Sequence, residues 1–370
     1  MFRVNSSLFS KVITRVIISL SLFQISIFIT GRVSDVAAYT GGFSFTAVGE
    51  RTRLAESIFK ILPTYGNIIL SVLLITFLSS TLIFTFLNKY INKENYIDWY
   101  LLLYLPSLLI YASTPTKEFL FFFPAVLYII LESEYLIKKN TRLNTLLLFI
   151  IKILLLWFMF TLRGSLSYPY LALGIIIILF KIFNINFLKI RYLRVTNLCI
   201  YSFLICIFIL IFTNNNFVAN IANYLNSDFN QNSSLSRSFD IDLINNIYNP
   251  FNLIKIQFLS FFPSIKETLI KPHAFLITYE SSVFLYLFFK SWQNLFSIIK
   301  NNNQAKLIYG LIFICIVCSY FLLYGMLGYM NVGSSQRFKS NLVPISLIFP
   351  NISIYLIFLK LSSWSMKLMN

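Results

Sequence analysis

Basic side chains gather with hydroxyls and carboxylates at a handful of places where the apolar runs of this chain break off. These places read Gly31-Arg32-Val33-Ser34-Asp35, Glu50-Arg51-Thr52-Arg53, Ser113-Thr114-Pro115-Thr116-Lys117-Glu118, Ser236-Arg237-Ser238-Phe239-Asp240-Ile241-Asp242 and Gly333-Ser334-Ser335-Gln336-Arg337-Phe338-Lys339. Arg163-Gly164 adds an arginine between two apolar stretches with almost no loop. A guanidinium is a planar fork of donors that matches phosphate oxygens two at a time, whereas an ammonium is a point charge. The pattern points to an anionic, phosphorylated ligand. Gly333-Ser334-Ser335 supplies a flexible turn, rich in hydrogen-bond donors, just ahead of Arg337 and Lys339.

Other chemistries find little support. A single histidine, His273, argues against a zinc or haem site and against a His-centred relay. The four cysteines lie inside apolar stretches, so no disulfide framework is implied, and Cys315-x-x-Cys318 reads as small apolar packing. There is no Gly-rich nucleotide loop and no Walker motif, and the Asp-x-Asp at Asp240 and Asp242 falls in an outer loop, where nucleotide sugars are absent. No metal or cofactor is expected, and an outer-face enzyme would have to take its activated substrate from the lipid.

The elements that must position these residues follow from composition. Of 370 residues, 58% are hydrophobic and 12% charged. A soluble domain carries about 25% charged residues, so a water-soluble globular protein is excluded. The apolar blocks have membrane-spanning length. They predict an all-α polytopic membrane protein with about ten transmembrane helices, near residues 12–30, 66–87, 97–113, 119–136, 143–162, 165–181, 196–213, 274–290, 307–325 and 341–359. Arg32 and Asp35 separate the first run from Val36-Ala37-Ala38, which is unfavourable for cleavage, so that run reads as an uncleaved helix. With both termini inside, the inner segments hold 17 of the 30 Lys and Arg, the outer segments 12, and Lys152 stays within the fifth span. Every short inner connection is basic, which selects N-in and C-in. The excess of 30 basic over 13 acidic residues thus reads as topology rather than nucleic-acid binding. Six of the 12 outer basic residues are Arg, against five of the 17 inner ones. Topology needs only charge, so the outer arginines again suggest a phosphorylated ligand on that side.

The whole of 1–370 is expected to form one integral membrane domain with two long periplasmic loops, about 31–65 and 214–273. The second loop begins Asn-rich, at Asn214 to Asn232, and turns amphipathic through Ile241–Phe262 between Pro250 and Pro263. A segment too polar to cross and too apolar to float should lie along the bilayer surface. Lys117 and Glu118 at their short break, with Pro106 and Pro124 interrupting the helices on either side, are either a satisfied interfacial pair or the floor of a polar pocket where broken helices expose backbone donors. Arg163 either snorkels to lipid phosphates or faces a ligand. Lys152 must face other helices or a polar cavity, and Glu280 is one conceivable partner.

The chain resembles the O-antigen polymerases (Wzy type) and the related capsular and exopolysaccharide polymerases of bacteria. The resemblance lies in Ser34-Asp35 followed by Ala37-Ala38-Tyr39, in Ser113 through Glu118 leading into an aromatic helix with Pro124, in Arg163-Gly164, in Arg237, and in Gly333 through Arg337-Phe338 before the final span. It covers nearly the whole length through layout as much as letters. It implies a multi-pass glycosyltransferase of the bacterial inner membrane, active on the periplasmic face, in lipopolysaccharide or other polysaccharide biosynthesis. The enzyme would transfer a growing glycan from undecaprenyl diphosphate onto a lipid-linked repeat unit. Its partners would be that lipid-linked oligosaccharide, membrane lipids and a chain-length regulator protein, with no nucleic acid. The expelled lipid diphosphate would need fixed cations. Arg163, Arg237 and Arg337 are expected to supply them, assisted by Lys117 and Lys339 and with Arg51 and Arg53 nearby, while Asp35, Glu118 or Asp240 would act as general base. The alternatives are a membrane glycosyltransferase that uses polyprenyl phosphate sugars and a lipid-linked oligosaccharide flippase. The first usually carries an acidic pair in its first outer loop, where Asp35 stands alone; the second should show more helices, short loops and internal symmetry.

Overall fold

The computed structural model describes residues 6–30, 36, 39–40, 50–90, 104–137, 142–183, 250–270, 272–298, 303–319 and 339–345. Regular structure among them is helical throughout, with no strand. Two stretches, Lys117–Leu136 and Thr145–Gly164, are each 20 residues long and apolar enough to cross a membrane, matching the roughly 30 Å of a hydrocarbon core at 1.5 Å per residue. Of the sixth and seventh sequence-derived spans, 165–181 is helical and follows the kink at Arg163 across which two helices join, and 196–213 lies outside the described residues. The chain divides into two compact units, residues 1–131, 141–167 and 354–370 on the one hand and 132–140 with 168–353 on the other.

The described part of the first unit contains α1 (Ser6–Thr30), α2 (Glu50–Lys60), α3 (Ile68–Tyr90), α4 (Pro106–Ile110), and the opening portions of α5 (Lys117–Ile137) and α6 (Arg142–Phe183). Helix α1 packs on α3 and α4. Interhelical hydrogen bonds from buried polar side chains tie these helices together. Arg15, fully buried in α1, donates from Nη1 to Ser80 Oγ on α3 at 2.9 Å. Ser19 Oγ, one turn along, donates to the Leu109 carbonyl of α4. Thr76 Oγ1 donates to Ser113 O at 2.8 Å, and Ser79 Oγ to Ala112 O at 3.2 Å.

The third sequence-derived span, 97–113, is not one helix. Tyr104 and Leu105 are non-helical, α4 starts with Pro106 at its first turn, and turns occupy 111–116. Proline suits a first turn because that position has no intrahelical N–H bond to lose. Pro124, by contrast, does not interrupt its helix: α5 runs through it from Lys117 to Ile137. Apolar helices tolerate such a proline when neighbouring groups satisfy the freed carbonyl. Gly66, at φ +91°, makes the turn between α2 and α3 in a conformation open to glycine, and its N–H reaches Thr40 O at 2.7 Å. Asn67 then caps α3, its Oδ1 accepting the Leu70 N–H at 3.1 Å.

In the second unit lie the remainders of α5 and α6, with α7 (Pro250–Phe261), α8 (Ile265–Ile270), α9 (Pro272–Ile298), α10 (Asn303–Ser319) and a helical segment at 339–345. Helices α7 and α8 both pack against α9. Phe313 of α10 stacks against Phe288 and Trp292 of α9, with ring centroids 4.9 and 4.1 Å apart. Tyr170 of α6 donates its hydroxyl to the Asn341 carbonyl at 2.5 Å. Cys315 Sγ lies 3.9 Å from Pro169 O, in keeping with a packing role.

Candidate functional site

The site begins at the break between α4 and α5. Its carbonyls lack the continuous helix that would satisfy them, so hydroxyls do the work. Ser113 Oγ donates to Leu108 O at 2.9 Å, Thr114 Oγ1 to Ile110 O at 2.5 Å, and Thr116 Oγ1 to Tyr111 O at 2.6 Å. The sequence reading expected a break that exposes backbone donors; the bonds described here instead serve acceptors. Thr116 has a second task. Its Oγ1 accepts the Phe119 N–H at 3.3 Å, so it caps the N-terminus of α5.

That cap puts Lys117 and Glu118 in the first helical turn, where the unpaired N–H groups favour a carboxylate. Lys117 is half-buried and Glu118 is buried. Across from them, α6 loses its helical backbone at Arg163, with φ −146° and ψ 64°. Gly164 follows, a residue that tolerates a break in the helix at this point. The kinked backbone delivers the Arg163 side chain to Glu118, and Nη2 donates to Oε1 in a close ion pair. The Arg163 side chain is 22% exposed and that of Glu118 2%. Arg163 Nε is buried and has no hydrogen-bond partner among the described residues. Glu118 thus pairs with Arg163, 45 residues away in the chain.

An apolar cluster holds the pair in register. Phe119, next to Glu118, and Leu162, next to Arg163, pack with Tyr39, Ala55, Phe59 and Ile75. The Phe59 ring lies 5.9 Å from Tyr39 and 6.4 Å from Phe119. Helix α2, within what reads from the sequence as a plain outer loop, therefore packs beside the ion pair. Its signal is present in the letters, with Ala55 and Phe59 one turn apart on one side and Arg53, Ser57 and Lys60 exposed on the other. On that exposed side Lys60 meets Glu56 at 3.1 Å. The hydrogen bond to Glu56, then its charge and Tyr65, raise the Lys60 pKa above the ordinary lysine value.

The remaining expected site residues sort as follows. Arg53 is exposed on α2, and Arg51 belongs to the same helix. Asp35, Asp240, Arg237 and Arg337 lie outside the described residues. Lys339 is fully buried in the second unit, donating to Ser281 Oγ at 2.9 Å and to Ile277 O at 3.4 Å, with Glu280 Oε2 at 3.7 Å. Its ammonium is thus taken up by oxygens of α9, an internal tie where a ligand contact was expected. Glu280, for which Lys152 was the conceivable partner, has Lys339 beside it because 339–345 and α9 meet within one unit. Lys152 itself is buried in α6. Sequence reasoning also counted Arg15 as a topological charge and missed its burial; a lone arginine a few residues inside a 25-residue apolar helix was the available sign.

Comparisons with family models, with curated proteins and with solved structures find no match for this chain.

Proposed function

We propose that this chain is a polysaccharide polymerase of the bacterial inner membrane, with ten spans, both termini inside and its site open to the periplasm. One observation carries the reading: a carboxylate and a guanidinium meet where a capped helix N-terminus faces a kinked helix. The Arg163 side chain is still partly exposed, and its Nε keeps an unused donor. That combination suits a leaving group that becomes more negative as it departs.

The step runs as follows. The glycan donor is held on a polyprenyl diphosphate, and Arg163 turns its fork onto the diphosphate oxygens, aided by Arg237 and Arg337. Engagement of the fork frees Glu118. A hydroxyl of the lipid-linked acceptor unit attacks the anomeric carbon of the donor. The bond from that carbon to the diphosphate oxygen breaks, and its electron pair leaves on the diphosphate. The hydroxyl proton passes to Glu118, or to Asp35 or Asp240 if one of those stands nearer the acceptor. A general base of this kind contributes on the order of 10²–10⁴-fold in rate. Lys117 adds positive charge at the same helix start, and Arg51 and Arg53 belong to the neighbouring α2. In this reading Lys339 is a structural tie.

Deleting the gene should leave the single-repeat-unit glycolipid in the membrane and abolish the long-chain polymer. A deletion strain that keeps a normal ladder of chain lengths would reject the polymerase and favour a glycosyltransferase acting on polyprenyl phosphate sugars.

A further inference from the structure

In the second unit, α7 and α8 each keep one side against α9 and turn large apolar side chains outward. On α7 the buried residues are Ile256, Ser260 and Phe261, while Phe251 is 80% and Phe258 62% exposed. On α8 Ile265 and Leu269, one turn apart, are 81% and 80% exposed. Water does not tolerate such a ridge without reason. The helices do not cross a bilayer either: α7 has 12 residues and α8 six, about 18 Å and 9 Å at 1.5 Å per residue. Lys255 is exposed on α7, one turn after Phe251 and three residues before Phe258, so a cation rides on the same stripe as the two rings. On α9, against which both pack, Phe275, Tyr279, Tyr286 and Phe289 are also exposed at helical spacing.

We infer that α7 and α8 form an in-plane anionic-lipid site: Phe251, Phe258, Ile265 and Leu269 enter the headgroup–acyl boundary, and Lys255 binds a lipid phosphate. The inference rests on the chain's residence in a membrane and is independent of the polymerase reading. An amphipathic helix with aromatic residues below and lysine at the rim binds an interface through buried area plus attraction to anionic headgroups. A lysine stem long enough to snorkel lets both happen on one stripe. The sequence alone suggested only that the region from 241 to 262 should lie along the bilayer. The side chains now name the face, the cation and the headgroup charge.

The test uses the full-length chain in nanodiscs of phosphatidylethanolamine with a minority of phosphatidylglycerol. The phosphatidylglycerol carries a photoactivatable diazirine on its acyl chain near the glycerol, and adducts are mapped by mass spectrometry. The exposed face of α6 from Leu146 to Trp157 serves as the lipid-facing control. Adducts should fall on Phe251–Leu269 at yields comparable with that control. Lys255→Glu should reduce them severalfold and leave the α6 adducts unchanged. Adducts on α6 alone would overturn the inference. Equal labelling by a phosphatidylcholine probe, with no response to Lys255→Glu, would overturn the anionic-lipid site.

Discussion

Glu118 and Arg163 owe their meeting to backbone events on both sides, a capped start at Thr116 and a lost helical turn at Arg163. A structural pair and a catalytic pair make different demands. The first is best when every donor is used, as with Lys339, whose ammonium meets Ser281, Ile277 and Glu280 in full burial. The second keeps donors in reserve, as Arg163 does at Nε. The contrast has a measurable consequence. Lys339→Met leaves Glu280 as a buried charge without its cation and should destabilise the protein by about 3–5 kcal/mol. Joining it to Glu280→Leu should recover most of that loss, because a well-packed apolar pair often replaces a buried ion pair without penalty. Thermal unfolding of the detergent-purified single and double variants checks this. A double variant no more stable than the worse single would show that Lys339 does something other than neutralise Glu280.

At the scale of elements, the break between α4 and α5 is the feature on which the pair depends. Its carbonyls are tied by hydroxyls from its own residues and from α1 and α3. Thr76→Val keeps shape and removes the donor to Ser113 O, so it should lower stability by about 0.6–1.7 kcal/mol, the range for interhelical bonds in membranes. Polymer yield in cells measured beside unfolding then separates a tilted site from a weakened fold. The sequence made this region legible only in part. Ser113 through Glu118 stood out as a polar break, and Arg163-Gly164 as an arginine at a helix end. What the letters concealed was partnership. Which cation Glu118 or Glu280 finds depends on packing between residues 45 and 59 positions apart in the chain, and no local period encodes that. Pro124 misled for a related reason, since proline breaks helices by rule in water and is carried within them where neighbours satisfy the freed carbonyl. Helix α2 was missed because a single amphipathic helix of 11 residues inside a long loop is a faint signal until Phe59 is seen beside Phe119.

For the molecule as a whole, low charge and long apolar runs were enough to imply a helical membrane protein. Regular structure among the described residues is helical and includes two stretches long and apolar enough to cross a bilayer. The count of spans rests on the apolar runs and their orientation on the distribution of Lys and Arg, and the polymerase reading rests on the chemistry at Glu118 and Arg163. That chemistry is most directly tested with purified protein and synthetic polyprenyl-diphosphate repeat units, the products being resolved by length. The wild-type chain should yield a ladder of several repeat units. Arg163→Lys should lose on the order of 10²–10³-fold in rate, the usual effect of removing a fixed transition-state donor, although the protein still inserts. Glu118→Gln should lose a comparable amount, and Arg237→Lys should also fail, because a point charge does not replace a planar fork. Wild-type rates from both Arg163→Lys and Glu118→Gln would contradict the account.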